Sequence, residues 1–142
     1  MKIVFNFLDS NCRIKFLRRR KEWIEACINE EGFLLKSINF IFCSDEFLID
    51  INQKFLNHDF YTDVITFSNG FNSIIDGEVY ISIDRVKDNS KIYNVTFDNE
   101  LNRVLIHGAL HLMKYNDNSI VLKELMTGKE NYYLRKLERE EI

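Results

Sequence analysis

The stretch His107-Gly108-Ala109-Leu110-His111-Leu112-Met113-Lys114-Tyr115-Asn116-Asp117 decides how this chain is read. Thr96, with Asp98 and Glu100 behind it, marks a helix start, and that helix is predicted to run to about Met113. Residues four apart on a helix share one face, so His107 and His111 stand one turn apart on the same side. Two imidazoles so placed can hold one metal ion from a single rigid element, which is the physics behind the HExxH zinc motif. Gly108 occupies the glutamate position of that motif, so the usual general base of a zinc peptidase is missing. Tyr115-Asn116-Asp117-Asn118 turns the chain back and can bring Asp117 towards the His pair. Two His and one carboxylate leave a coordination position open for water, as catalytic zinc sites do, and the same set suits non-haem iron. The other reading is a pair of partly buried His that hydrogen-bond, with Asp117 capping the last helix. Spacing alone does not separate the two.

Outward from this helix, the pattern is regular. Residues 1–7 read as a strand, cut off by Asp9 and Ser10. Ser10 or Asn11 is placed to cap a helix to about Asn29, with Phe16, Leu17, Trp23, Ile24, Cys27 and Ile28 at helical spacing and Gly32 at its C-terminal cap. Ile38, Phe40 and Phe42 alternate with Asn39 and Ile41, a strand buried on at least one face. Ser44 opens a short helix with Asp45 and Glu46 in its first turn and Leu48, Ile51 and Phe55 as its stripe. Residues 56–59 read as a loop, 62–67 and 77–83 as strands around a turn, and a helix follows from Asp84. Ser119 opens a last helix with Leu122, Leu125, Met126, Tyr133 and Leu137 on one side. The order β-α-β-α-β-β-α-α-α predicts an α/β (α+β) fold. A small mixed four-stranded sheet carries the helices, and residues 1–142 form a single domain.

Composition narrows the function. The chain has 142 residues, 46% hydrophobic and 29% charged, as a soluble globular protein does. A net charge of −3 excludes a globally basic nucleic-acid binder but leaves room for a local basic patch. Cys12, Cys27 and Cys43 form no CxxC pair and read as reduced thiols of a cytoplasmic protein. No apolar run is long enough to span a membrane, and the N-terminal strand is too short for a signal peptide.

Residues 107–117 resemble the signature H-G-x-L-H-L-x-G-Y-D-H of the YbeY family of bacterial rRNA-maturation endoribonucleases. A second block, residues 52–67, is similar to the family's N-x-x-Y-R-G-x-D-x-P-T-D-V-L-S-F, and Gly77-Glu78-Val79-Tyr80-Ile81-Ser82 to its G-D-I-x-I-S strand. The resemblance implies a metzincin-like fold with the metal-motif helix in the core. It implies one Zn²⁺ per chain, held by His107, His111 and Asp117, with iron or another divalent metal as the variant. The activity implied is single-strand-specific, metal-dependent endoribonuclease cleavage at the 3′ end of small-subunit rRNA and in ribosome quality control. The partners implied are rRNA and the small ribosomal subunit. A non-catalytic ribosome-assembly factor that keeps the metal, and a zinc metallopeptidase, are the alternatives.

This sequence departs from the family pattern at four places. Asp117 stands for the third His ligand, Lys114 for a Gly, Tyr61 for the Pro and Leu56 for the Arg that acts on the RNA phosphate. Arg103, four residues before His107, is a replacement cation, or else pairs with Glu100 or Asn99 on the surface. His58 lies in the loop of the Arg-bearing block, where it contacts RNA or is simply solvated. Thr62 and Asp63 shape the cleft floor, unless Asp63 only stabilises a turn. Arg13, Lys15, Arg18, Arg19, Arg20 and Lys21 form a basic cluster that can neutralise phosphates or can equally be a solvated helix face. Tyr80, Tyr115 and Phe60 are candidate base-stacking residues. The Lys and Glu of the last helix read as a salt-laced surface.

Overall fold

Large apolar residues at both parities of Leu34–Cys43 bury that strand on two faces, and the sheet is built around it. A computed structural model describes residues 2–9, 13–56 and 62–139. The elements are β1 (Ile3–Phe7), α1 (Leu17–Glu30), β2 (Leu34–Cys43), α2 (Asp45–Leu56), β3 (Val64–Ser68), β4 (Ile74–Ser82), α3 (Ile83–Ile92), α4 (Phe97–Leu112) and α5 (Ile120–Glu138). The sheet order is β1-β2-β4-β3. β2 runs parallel to β1 and β4, and β3 pairs antiparallel with β4, with Phe5 opposite Phe40, Phe40 opposite Val79 and Thr66 opposite Val79. The element order and the mixed four-stranded sheet are as the sequence pattern predicts.

The two faces of the sheet are unequal. Ile38, Phe40 and Phe42 of β2 join Val79 and Ile81 of β4 in the main core with α1, α4 and α5, including Trp23, Ile24, Leu101, Leu105 and Tyr133. Full burial of each such side chain contributes about 1.5–3 kcal/mol. A smaller cluster of Cys43, Leu48, Ile51 and Ile65, flanked by Phe47, Phe67 and Tyr80, seats α2 on the other face. The metal-motif helix α4 rides close on the sheet because Gly108 has no side chain. A Cβ there would stand 2.6 Å from Val79 Cγ1. Position 108 therefore faces the sheet, and a glutamate at it would be driven into β4.

Helix ends follow local chemistry. Ser44, Ser82, Thr96 and Ser119 accept backbone N–H bonds at the starts of α2, α3, α4 and α5. Gly32, at φ 85°, closes α1, where the Phe33 N–H reaches the Ile28 carbonyl. α4 ends in the same motif. The Tyr115 N–H donates to Leu110 O at 3.1 Å and the Lys114 N–H to His111 O at 2.9 Å, with Lys114 at φ 72°. A lysine in this left-handed position costs about 1–2 kcal/mol.

Several expectations are corrected. α1 begins at Leu17, not near Asn11, because Phe16 takes a left-handed conformation (φ 57°) that helix cannot propagate through, and Phe16 itself is exposed. Ser10 and Asn11 lie outside the described residues. β4 begins at Ile74, earlier than the expected Gly77. On α5 Leu125 faces outward, and the buried face is Met126, Glu130, Tyr133, Leu134 and Leu137. Two of its Lys residues pair with acids at the end of α1, Lys129 with Glu31 and Lys136 with Glu30. The basic cluster is not one face. Arg20 is buried, held by Lys15 O, Asp98 and Asn102, because α4 packs over that side of α1. Arg19 donates to Leu137 O and Arg18 pairs with Glu22. Cys27 and Cys43 are buried, and burial pushes both thiols up, Cys43 to about 12. Cys12 lies outside the described residues. Among the described residues, no helix is long and apolar enough to cross a membrane.

Candidate metal centre

α4 presents His107 and His111 on one face, with their Nε2 atoms 2.9 Å apart. The reversal after Lys114 carries Asp117 back over them, its Oδ2 3.6 Å from His107 Nε2 and 3.7 Å from His111 Nε2. Asp117 is therefore at the His pair, while Ser119 caps α5. The other ring nitrogens are engaged. His107 Nδ1 lies 2.5 Å from Glu130 Oε2, and His111 Nδ1 lies 2.9 Å from Tyr115 O. A carboxylate and a carbonyl only accept, so both Nδ1 atoms donate, and this assigns the tautomers. With both rings neutral, the two Nε2 lone pairs face each other and the Asp117 oxygen.

Three electron-rich atoms converging in this way call for a cation. The three ligand atoms lie within 4.8 Å of one another. Their separations bracket the edge of about 3.3 Å expected for a tetrahedron of zinc-length bonds. Two imidazoles and a carboxylate, each His fixed by a hydrogen bond from its outer nitrogen, fit Zn²⁺ or Fe²⁺. Burial opposes charge on His107, but the hydrogen bond and charge of Glu130 outweigh it and hold its pKa above the ordinary value. Burial and then the neighbouring His107 push His111 down.

Two supports hold the pair, and neither was apparent from the sequence. Glu130 of α5, buried, also accepts from Arg103 NH1 at 2.9 Å, while Arg103 NH2 donates to Asn131 Oδ1 at 2.8 Å. Arg103 thus pairs with Glu130, not with Glu100 or Asn99, and points its charge at the support of His107. The available signal was an acid inside the buried stripe of α5. Tyr115, whose carbonyl fixes His111, is held by its hydroxyl on Glu31 Oε1 at 2.5 Å. Glu31 also accepts from Tyr133 and from Lys129 at 3.0 Å. This engagement removes Tyr115 as a stacking residue, and Tyr80 packs against Phe67 and Phe47. His58 and Phe60 lie outside the described residues.

A cleft of about 620 Å³ opens beside His107 and Asp117, between the α3–α4 turn, α4 and α5. Asp63 and Glu100 line it. Burial pushes both carboxyls up, and Asp63's charge adds to the effect on Glu100, which reaches about 7. A smaller pocket of about 280 Å³ lies on the His111 side, lined by Asn52, Leu56, Thr62 and Thr66.

The family model described as Endoribonuclease YbeY matches residues 7–138. The chain belongs to the YbeY family. It is 46% identical over 119 residues to an Endoribonuclease YbeY of Cytophaga hutchinsonii, an overlap of 81% of this chain and 83% of the relative. That of Amoebophilus asiaticus is 49% identical over 114 residues (80% and 78%), and that of Christiangramia forsetii 46% over 129 residues (88% of each). The solution structure of a Thermotoga maritima protein superposes with a TM-score of 0.68 at 30% identity, covering 96% of this chain and 90% of that one. Set against the pattern that the sequence resembles, Asp117 stands beside the His pair at the position of that pattern's last His. Lys114 occupies the left-handed turn where the pattern has Gly. Leu56 lies on the wall of the pocket that holds His111, where the pattern has Arg.

Proposed function

We propose that this chain is a metal-dependent endoribonuclease that cuts single-stranded RNA in rRNA maturation, with Zn²⁺ held by His107, His111 and Asp117. The reading extends to the 3′ end of small-subunit rRNA and to ribosome quality control, in the cytoplasm, by one domain spanning residues 1–142. The observation that carries it is the convergence of two imidazole Nε2 atoms and a carboxylate oxygen in a chain of the YbeY family. When bound, the ion supplies Lewis acidity towards a phosphate oxygen. Glu130 and the Tyr115 carbonyl fix the two rings so that only their Nε2 atoms face the reacting group. Asp117 adds a negative charge where the family has a neutral imidazole, which lowers the net positive charge offered to a phosphate. Asp63 lines the cleft near the centre, and His58 would be a further RNA contact in this reading.

The test is elemental analysis of protein purified without added metal, beside the His107→Ala and His111→Ala variants and a single-stranded RNA cleavage assay. Each variant is expected to lower metal affinity by more than about 100-fold, since loss of an outer-shell partner alone costs 10–100-fold, and to abolish cleavage. Unchanged metal content in both variants would sink the centre. Leu56→Arg adds a phosphate-binding guanidinium to the pocket wall and is expected to raise cleavage, with metal content unchanged.

A further inference from the structure

We propose that the cleft beside His107 is a nucleotide subsite, which takes one splayed-out base of single-stranded RNA, stacked on Tyr93, next to the phosphate to be cut. The proposal rests on the ribonuclease reading and deepens it. Three elements converge on this cleft, and each offers side chains that make no hydrogen bond or ion pair among the described residues. α3 and its cap supply Asn89 and Tyr93, α4 supplies Asn99 and Glu100, and α5 supplies Lys123 and Thr127. Tyr93 is 62% exposed on the rim, an aromatic face with nothing stacked on it among the described residues. Its backbone is set by the helix end, where the Tyr93 N–H donates to Asn89 O at 2.9 Å. The ring is thus projected from a fixed helix end.

The chemistry of the lining selects the ligand. Asn89 and Asn99 each offer an amide donor and acceptor, the pairing set that reads a base edge. Glu100 is only 4% exposed and makes no hydrogen bond among the described residues, while its oxygens reach the cleft, so the floor offers a carboxyl to ligand donors. Base amino groups and ribose hydroxyls are such donors, whereas an apolar ligand would leave that carboxyl unsatisfied. Lys123 places an ammonium at the mouth for a flanking phosphate. The volume of about 620 Å³ accommodates a nucleotide. A duplex keeps its bases stacked on each other and offers no free face to Tyr93, so the subsite accepts single strands.

The test uses the full chain with zinc added and a short single-stranded oligoribonucleotide carrying 2-aminopurine, whose fluorescence is quenched on stacking. Titration gives the affinity, and cleavage of the same oligonucleotide gives KM and kcat. Tyr93→Ala is expected to weaken binding and raise KM by about 5- to 50-fold with loss of the quench, while metal content and kcat stay within about twofold of wild type. Tyr93→Phe keeps the platform and is expected to bind as wild type does, and Asn99→Ala to raise KM more moderately. Wild-type quench and KM in Tyr93→Ala would overturn the subsite and leave the ribonuclease reading standing. A wild-type chain that neither binds nor cuts the oligonucleotide would overturn both.

Discussion

Two polar clusters in this molecule both gather carboxylates and behave in opposite ways. One gathers at the C-terminal ends of β1, β2 and β4. There Asp9 accepts from the Ser44 N–H and hydroxyl, Asp45 accepts from Ser82 Oγ and Arg85 Nε, and Asp84 accepts from the Asp45 N–H. Each of these acids faces a donor, so the cluster is complete in itself. The other is the His107–His111–Asp117 group, where the donors point outward to Glu130 and Tyr115 and three acceptors face inward. The direction of the donors is one feature that separates a structural network from a ligand site.

That contrast breaks most sharply at Asp45. Asp45→Ala removes the acceptor of Ser82 Oγ and of Arg85 Nε and is expected to lower stability by about 2 kcal/mol, read as a shift of the urea midpoint. Metal affinity is expected to stay unchanged, and a large loss of metal in this variant would mean the two clusters are not separate. Glu130→Gln tests the other side. It keeps an acceptor for His107 Nδ1 but loses the charge, and is expected to weaken metal binding about tenfold in a chelator competition.

Lys114→Gly relieves the left-handed turn between His111 and Tyr115 and is expected to stabilise the protein by about 1 kcal/mol in thermal unfolding. A further effect concerns pH. Glu100, held up to about 7 by burial and Asp63, binds its proton more tightly folded than unfolded. The stability it contributes is present below its unfolded value near 4.5 and is lost as pH rises through about 7. In metal-free protein, Glu100→Gln is expected to flatten the fall in stability over that interval. An identical slope in the two proteins would count against the buried carboxyl.

What the sequence made legible was local. Thr96, Ser119, Ser44 and Gly32 announce helix ends because capping needs only a few neighbouring atoms. The His pair is legible because one helical turn fixes it, and Asp117 because a short reversal does. The rest depends on packing between distant segments. Burial of Arg20 needs Asp98 and Asn102 from another helix, and the role of Glu130 needs α5 laid against α4. Tyr93 gave no signal, since its value lies in facing a cleft that three helices make together.

The position of Glu130 also dictates when the centre can exist. Chains fold from the N-terminal side as they are synthesised. The four strands and α1 precede residue 83, yet His107 meets its carboxylate support 23 residues further on. A nascent chain stopped before Asp117 carries two imidazoles without the carboxylate that meets them, and one stopped before Glu130 has no lock on the first ring. The chemistry is thus armed by the last helix, so an unfinished chain still attached to a ribosome has not yet acquired a finished centre with which to cut the RNA around it.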